Sequence, residues 1–177
     1  MFFSVAHSQR CVSEKRLRRR TPVRFKHVRE DIRQLGESVG LELDLAESFL
    51  ERAHYEGRDL ILVDRVPLGM RVETEGDSWF PTLRGILAWQ PERKWCSVDH
   101  GAIPFLLNGA DCMAAGVQLA DPSLEAGDLV WIRDEEHGKP LATGVALVSG
   151  KMMVDMTIGK AVSTLHWVGD DLWELET

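Results

Sequence analysis

The chain has 177 residues, of which 44% are hydrophobic and 28% charged, and its formal net charge is −7. This length fits one large or two small domains with a substantial hydrophobic core, and the composition is ordinary for a globular protein. The longest apolar stretches, such as residues 103–107 and 141–148, are too short to cross a bilayer, and residues 1–10 lack the regions of a signal peptide. We therefore expect a cytoplasmic protein that does not associate with membranes.

The pattern of cysteines argues against a disulfide-rich protein and against a zinc protein. Cys11, Cys96 and Cys112 are scattered and form no CxxC pair, so neither a disulfide framework nor a zinc site is expected. Cys96 and Cys112 are predicted to be small core residues, because free cysteine behaves as a buried hydrophobic side chain. We expect the protein to need no metal and no cofactor.

Charge is distributed unevenly along the chain. Residues 1–33 contain ten lysines and arginines against three acidic residues, whereas residues 96–177 contain four against thirteen. A phosphate polyanion would therefore be met first by the N-terminal segment, and the C-terminal half could touch one only through a local patch.

The first twenty residues are polar and basic and show no apolar periodicity, which predicts a mobile arm over residues 1–20. Blocks of like charge are also often simple solvated segments, and that alternative stays open. The cations of the arm cluster at Lys15, Arg16, Arg18, Arg19 and Arg20.

Two helices are predicted after the arm. Apolar residues recur at helical spacing within 25–35, and Gly36 suits the end of that helix. Asp44 and Glu47 are spaced as a capping-box pair, which predicts a second helix from Asp44. The periodicity then changes to that of strands at residues 60–63, 68–72 and 79–80. These elements predict a small α/β domain over residues 21–93, with a polar linker at 90–94.

The remaining sequence begins at Trp95 and is rich in short strands. A brief helix is predicted over residues 102–107, followed by a turn at Asn108-Gly109 and, later, a hairpin loop at 134–140. Many short strands with few helices are typical of a small, mostly β barrel, so the fold class is α+β with a boundary near residue 94. The strands are predicted at residues 96–98, 113–119, 129–133, 141–148, 165–168 and 172–175.

Several segments carry a family resemblance. VDHGAIPFLLNGADCMAAGV (98–117) resembles the first strand, first helix and glycine-bearing loop of the PUA domain, an RNA-binding module named for pseudouridine synthases and archaeosine transglycosylases. AGDLVWIRDE (126–135) and ATGVALVSG (142–150) resemble its central hairpin, and GKAVSTLHWVGDDLWEL (159–175) its last strand. The resemblance implies a PUA-type pseudo-barrel over residues 94–177, preceded by an α/β pre-PUA domain over 21–93.

WFPTLRGIL (79–87) narrows the resemblance. Together with the final LHWVGDDLW, it is similar to the translation-factor family of malignant T-cell-amplified sequence and its archaeal relatives. This resemblance implies a protein that binds RNA of the small ribosomal subunit in initiation or recycling, and eukaryotic members work with an SUI1-domain partner. We expect this chain to act as a monomer.

Candidate RNA contacts follow from residue chemistry. Gly101, Gly109 and Gly116 lack a Cβ and let the backbone approach a sugar-phosphate chain, although tight barrel corners would also need glycine. Asn108 could bind a base edge or 2′-hydroxyl, or simply cap the turn. His100 stands where family members often carry lysine. The predicted phosphate contacts are Arg84, Arg93, Lys94, Lys151 and Lys160, assisted by Arg18, Arg19 and Arg20, and each could also be a solvated charge.

Catalysis has little support in the sequence. No GxSxG, P-loop, GxGxxG or HExxH pattern is present, and the six tryptophans fit core or interdomain anchors better than base-stacking platforms. We therefore predict a binding protein rather than an enzyme. An accessory that presents tRNA to a modifying enzyme, or an adaptor whose acidic barrel binds a basic protein, remains an alternative.

Overall fold

The structure is a computed structural model that describes residues 17–177. The N-terminal domain is a five-stranded antiparallel meander with the strand order β1-β2-β3-β4-β5. Arg18–Arg20, which we assigned to the end of the arm, lie in the first strand; neither this strand nor the second was predicted from the sequence. Lys15 and Arg16 lie outside the described residues. The strands are β1 (Arg18–Val23), β2 (Leu50–Tyr55), β3 (Arg58–Val63), β4 (Val66–Val72) and β5 (Ser78–Pro81).

The first predicted helix is confirmed as α1 (Phe25–Glu37). Its apolar face buries Val28, Ile32 and Leu35 against the sheet, as helical spacing requires. The second predicted helix is wrong. The Asp44 carboxylate accepts a hydrogen bond from the backbone N–H of Ala46 at 3.3 Å, which favours a short turn, and the chain then enters β2.

A helix that the sequence did not predict, α2 (Leu83–Trp89), lies in the WFPTLRGIL segment. The Thr82 hydroxyl caps it by accepting a hydrogen bond from the N–H of Gly85 at 3.1 Å. Leu83 and Ile86 are buried on its inner face. Its last residue is followed by Gln90 in a left-handed conformation, and the linker then leads into the C-terminal domain.

The C-terminal domain is a six-stranded sheet with the order β7-β11-β10-β9-β6-β8, which confirms the expected α+β class with a mostly β second part. All neighbours are antiparallel except β6 and β9. Short helices α3 (Ile103–Leu106) and α4 (Gly150–Asp155) connect the strands. The strands are β6 (Trp95–Val98), β7 (Cys112–Met113), β8 (Val117–Ala120), β9 (Leu129–Asp134), β10 (Pro140–Ala146) and β11 (Lys160–Trp167).

Two strand predictions in this domain are wrong. The strand predicted at 113–119 is divided by a 3-10 turn, Ala114–Gly116, so that β7 pairs with β11 and β8 pairs with β6. The strand predicted at 172–175 is a turn, because the Asp170 carboxylate accepts the backbone N–H of Trp173 at 2.7 Å. This turn carries the end of the chain back to the N-terminal domain.

The two domains share part of their hydrophobic core. Leu172 and Leu175 pack with residues of the first sheet, such as Phe80, in a cluster that also contains Trp131. The prediction that Trp131 is a core or interdomain anchor is confirmed by its burial in this cluster. Cys96 and Cys112 are buried in a separate core of the C-terminal domain, as predicted. Within residues 17–177, no helix is long and apolar enough to cross a membrane.

Candidate nucleic-acid interface

An open groove of about 320 Å³ lies on the C-terminal domain, where two 3-10 turns meet. One turn, His100–Ala102, leads into α3, and the other, Ala114–Gly116, separates β7 from β8. The groove surface is mainly apolar, with two carboxylates at its edges. Its lining residues are Asp99, Gly101, Ala102, Phe105, Leu106, Asp111, Cys112, Met113, Ala115 and Gly116.

Asp99 holds the two turns together. Its carboxylate Oδ1 accepts the N–H of Ala102 at 3.0 Å, and its own N–H donates to the carbonyl of Gly116 at 3.0 Å. A Cβ on Gly116 would lie 3.0 Å from the Cβ of Ala102, so the turns approach more closely than larger residues allow. A Cβ on Gly101 would meet little besides Oδ1 of Asp99 at 3.5 Å, which leaves the backbone there open to a ligand.

Gly109 and Asn108 lie at the far end of α3, outside the groove lining. Gly109 has φ of +80°, and a Cβ on it would lie 2.6 Å from the indole of Trp167. The Asn108 amide donates to the carbonyl of Pro104 at 2.9 Å. These contacts support the structural alternative for both residues, a tight turn packed on a tryptophan and a capped helix end.

Lys160 and Lys151 differ in their surroundings. Nζ of Lys160 donates to Oδ2 of Asp111 at 2.8 Å, at the groove edge, where Lys160 also faces Met113 across the β7–β11 ladder. This hydrogen bond and one from the N–H of Thr164 hold the pKa of Asp111 below its usual value despite some burial. Lys151 is exposed on α4 and has no ion pair within the described part of the chain.

The predicted phosphate contacts at the domain junction have partners inside the protein. Nη2 of Arg84 donates to the carbonyl of Trp173 at 2.6 Å, which joins α2 to the C-terminal turn. Nζ of Lys94 forms an ion pair with Asp128 at 2.7 Å. Arg93 is exposed, and its side chain packs over Gly40, where a Cβ would lie 2.5 Å from Cδ of Arg93. Direct phosphate binding by Arg84 or Lys94 would therefore require exchange of these contacts.

The arginines of β1 also differ from one another. Arg20 makes a bidentate ion pair with Glu51, with nitrogen–oxygen distances of 2.6 and 2.9 Å. Arg19 is exposed. The arm therefore supplies Arg19 as an exposed cation in β1, whereas Arg20 is engaged in the sheet.

His100 is exposed beside a second concavity, of about 280 Å³, on the opposite side of its turn. The β9–β10 loop, residues 135–139, forms the other wall of this concavity. The sequence analysis did not single out Arg133, whose guanidinium lies 3.7 Å from the centre of the Trp95 ring. Arg133 and Trp131 are two residues apart in β9, so alternation along the strand places both on the same face of the sheet. This spacing is the sequence feature that could have indicated Arg133.

No three His, Cys, Asp or Glu side chains among residues 17–177 lie close enough together to hold a metal ion. The groove offers open backbone at Gly101, small side chains and the apolar surface of Phe105 and Met113. Such a surface is suited to binding.

The chain is similar to known proteins in both sequence and structure. The model of the PUA domain family matches residues 94–168. An uncharacterized protein of Methanocaldococcus jannaschii is 36% identical over 162 residues, covering 92% of this chain and 91% of that protein. The crystal structure of a hypothetical protein from Pyrococcus horikoshii OT3 has a TM-score of 0.76 and 35% identity, covering 88% of this chain and 98% of that one.

Two eukaryotic relatives are more distant. Malignant T-cell-amplified sequence 1 of Danio rerio is 29% identical over 102 residues, which is 56% of each protein. Translation machinery-associated protein 20 of Saccharomyces cerevisiae is 29% identical over 103 residues, 55% of this chain and 57% of the yeast protein. The similarity thus spans only about half the length of these two proteins.

Proposed function

This chain belongs to the PUA domain family, and on that premise we propose that it is an RNA-binding translation factor that docks on the small ribosomal subunit. It acts by binding and positioning rather than by catalysis. The family itself suggests RNA binding, and the name of the yeast relative associates that relative with the translation machinery. To these two observations we add a specific partner, the small ribosomal subunit.

The observation that carries the proposal is the open groove between the two 3-10 turns. Gly101 exposes backbone at its rim, and Phe105 and Met113 provide apolar surface. Proteins recognise RNA mainly through single-stranded loops and ends, whose unstacked bases lie against apolar side chains and bond to backbone groups. A groove of about 320 Å³ has room for one such nucleotide.

Electrostatics limits how tightly the C-terminal domain can hold RNA by itself. Residues 96–177 contain thirteen acidic residues and four lysines and arginines, and one of those cations, Lys160, is already paired with Asp111. Binding should therefore be weak for this domain alone and should fall with salt, because each phosphate contact adds about one unit to the log–log slope. The basic N-terminal segment contributes the remaining attraction in the full chain.

We extend the proposal to the cellular setting of the family that the sequence resembles. The protein acts as a cytoplasmic monomer in initiation or subunit recycling, alone or with an SUI1-domain protein.

Cosedimentation with purified small ribosomal subunits, across a salt series, tests the proposal. The groove variant Gly101→Glu adds bulk and negative charge where a Cβ meets almost nothing, so the fold should be retained. Gly76→Glu is the matched control, because Gly76 has open space around it in a loop of the other domain.

We expect the wild-type protein and Gly76→Glu to cosediment with the subunits at low salt, and Gly101→Glu to bind at least about tenfold more weakly. Equal binding by all three would overturn the groove as the site. Retention of bulk tRNA without subunit binding would instead support the accessory of an RNA-modification system.

A further inference from the structure

A second groove, of about 560 Å³, lies between the two domains, and the sequence analysis assigned no function to it. It is bounded by α2 on one side and by β9 and the β9–β10 loop on the other. Two indole rings, an arginine and a lysine are among its lining side chains. The residues that matter here are Leu87, Trp95, Trp131, Arg133, His137 and Lys139.

Arg133 is the unusual residue of this groove. Its guanidinium lies 3.7 Å from the ring centre of Trp95 and 5.6 Å from that of Trp131. It is half-buried, yet within residues 17–177 it has neither a carboxylate partner nor a side-chain hydrogen bond. Burial lowers the pKa of Arg133 below its usual value, because desolvation disfavours the charged form. A partly desolvated cation without a counter-ion is the expected feature of an anion-binding site.

The two rings that hold Arg133 are themselves fixed. Nε1 of Trp95 donates to the carbonyl of Glu92 at 3.1 Å, and Nε1 of Trp131 donates to the carbonyl of Arg93 at 3.0 Å. Trp95 and Trp131 are also direct neighbours in the parallel β6–β9 pairing. The guanidinium is therefore placed in advance, and a ligand does not have to order it.

The interdomain groove adjoins the concavity of about 280 Å³ beside His100, and the His100–Ala102 turn separates that concavity from the groove lined by Gly101 and Gly116, the glycine groove. His100 stands between the glycine groove, lined by its neighbour Gly101, and the concavity of about 280 Å³ on the other side of the turn. His137 and Lys139 line both that concavity and the interdomain groove. An RNA strand that crosses this turn at His100 would follow a path past Lys139 to Arg133.

We propose that RNA held in the glycine groove continues along this path, and that Arg133 and Lys139 bind one of its phosphates in the interdomain groove. The inference rests on the proposed RNA-binding function and adds a second contact to it. Guanidinium groups bind phosphate through paired N–H donors, and Trp95 and Leu87 provide an apolar surface for the adjoining sugar or base.

Acidic residues disfavour a phosphate in the middle concavity, the one beside His100. Glu135 and Glu136 line the middle concavity and oppose an anion there, and Glu92 lines the interdomain groove. Asp134 is buried, and its carboxylate accepts the backbone N–H groups of His137 and Lys139, so its charge is largely compensated by these donors. RNA is favoured over an acidic peptide because Arg133 and Lys139 belong to the PUA domain, whose family suggests RNA binding.

The test uses fluorescence anisotropy with two random-sequence single-stranded RNA pools, a decanucleotide and a tetranucleotide, on the full chain. Arg133→Gln removes the charge of the stacked residue, and Lys139→Gln does so at an exposed position where the fold is not at risk. Arg65→Gln is the matched control, because Arg65 is an exposed arginine of the N-terminal domain that lines neither groove.

We expect decanucleotide binding to weaken about tenfold for Arg133→Gln and several-fold for Lys139→Gln, with little change for Arg65→Gln. Tetranucleotide binding, which needs only the glycine groove, should be nearly equal in all four proteins. The indole N–H signals of Trp95 and Trp131 in ¹H–¹⁵N spectra should shift with the decanucleotide and not with the tetranucleotide.

The outcomes separate the two proposals. Wild-type protein that binds neither pool would overturn the proposed function and this inference with it. Binding of the decanucleotide that neither Arg133→Gln nor Lys139→Gln weakens, with unshifted indole signals, would overturn the inference alone. Equal competition by an acidic decapeptide would show that the groove takes a protein segment, against the assignment to RNA.

Discussion

Arg84 in α2 and Trp173 in the C-terminal turn are joined by a hydrogen bond from the guanidinium Nη2 to the backbone carbonyl, with 2.6 Å between the two atoms. The residues belong to different domains and are 89 positions apart. The bond therefore helps to hold the end of the chain, with the buried Leu172 and Leu175, against the N-terminal sheet.

Replacing Arg84 should accordingly reduce stability. We expect Arg84→Met to lower the free energy of unfolding by about 1.5–3 kcal/mol, the contribution of a hydrogen bond to a charged group. Urea denaturation followed by tryptophan fluorescence measures it. Lys151→Met serves as the control and should leave the free energy of unfolding within about 0.5 kcal/mol of the wild type. Equal effects of the two variants would contradict a structural role for Arg84.

Alanine substitutions at Gly109 and Gly57 distinguish the cost of a left-handed backbone conformation from the cost of steric overlap. Both have positive φ, +80° and +82°, but a Cβ on Gly109 would lie 2.6 Å from the Trp167 indole, whereas one on Gly57 would meet nothing within 4 Å. We expect Gly57→Ala to cost about 1 kcal/mol from the left-handed conformation alone, and Gly109→Ala to cost at least about 1 kcal/mol more. Denaturant unfolding of both variants checks this, and equal losses would show that Trp167 simply moves aside.

Asp170 should make the free energy of unfolding depend on pH in the acidic range. Burial raises the pKa of its carboxyl, but hydrogen bonds from His166 Nδ1 at 2.6 Å and from the N–H groups of Trp173 and Trp167 outweigh burial and leave the pKa lowered. A carboxyl with a lowered folded-state pKa stabilises the protein above its unfolded pKa of about 4 and loses that contribution as pH falls through the folded value.

We therefore expect Asp170→Asn to destabilise the protein at pH 7, with a deficit that shrinks as pH falls below about 4. Urea denaturation at pH 7, 5, 4 and 3 measures the difference from the wild type. Asp155→Asn, an exposed change on α4, is the control and should show a small difference at each pH. A deficit for Asp170→Asn that is constant across this series would contradict the assignment.

The ion pair of Arg20 and Glu51 should stabilise the edge of the first sheet. Glu51 is buried, with 4% exposure, so Arg20→Met leaves an uncompensated carboxylate between β1 and β2. We expect Arg20→Met to lower the free energy of unfolding by about 2 kcal/mol. This is below the range for fully buried ion pairs, because the Arg20 side chain is 28% exposed. The double variant Arg20→Met, Glu51→Leu should recover most of the loss in thermal unfolding. Arg19→Met is the neighbouring control, and a similar loss there would indicate general disruption of β1.

Patterns that repeat over a few residues were readable in the sequence. The spacing of Val28, Ile32 and Leu35 predicted α1 because one face of a helix must be apolar to pack on a sheet. The short apolar run at 129–132 predicted β9, and the burial of Trp131 followed from its place there. The motifs of the C-terminal half also predicted the family and brought Gly101 and Gly116 into one candidate site.

Elements whose conformation depends on distant partners were misread. Asp44 and Glu47 have the spacing of a capping box, but Leu50 is drawn into β2 by pairing with Val63 and Val23. Residues 113–119 have strand-like composition, but β7 pairs with β11 and β8 with β6, and a 3-10 turn is needed between two different partners. The local sequence is compatible with either outcome, and packing decides.

The sequence by itself determined the two-domain order, the family and the charge contrast between the halves, because these are properties of composition and local spacing. Only the tertiary structure decided which cations have partners. Arg84, Lys94, Arg20 and Arg133 are all basic residues in the sequence, yet the fold gives the first a carbonyl, the next two a carboxylate each, and the last only aromatic rings. The partner of a long side chain depends on surfaces that meet across more than 30 residues, and no local pattern records which surfaces those are.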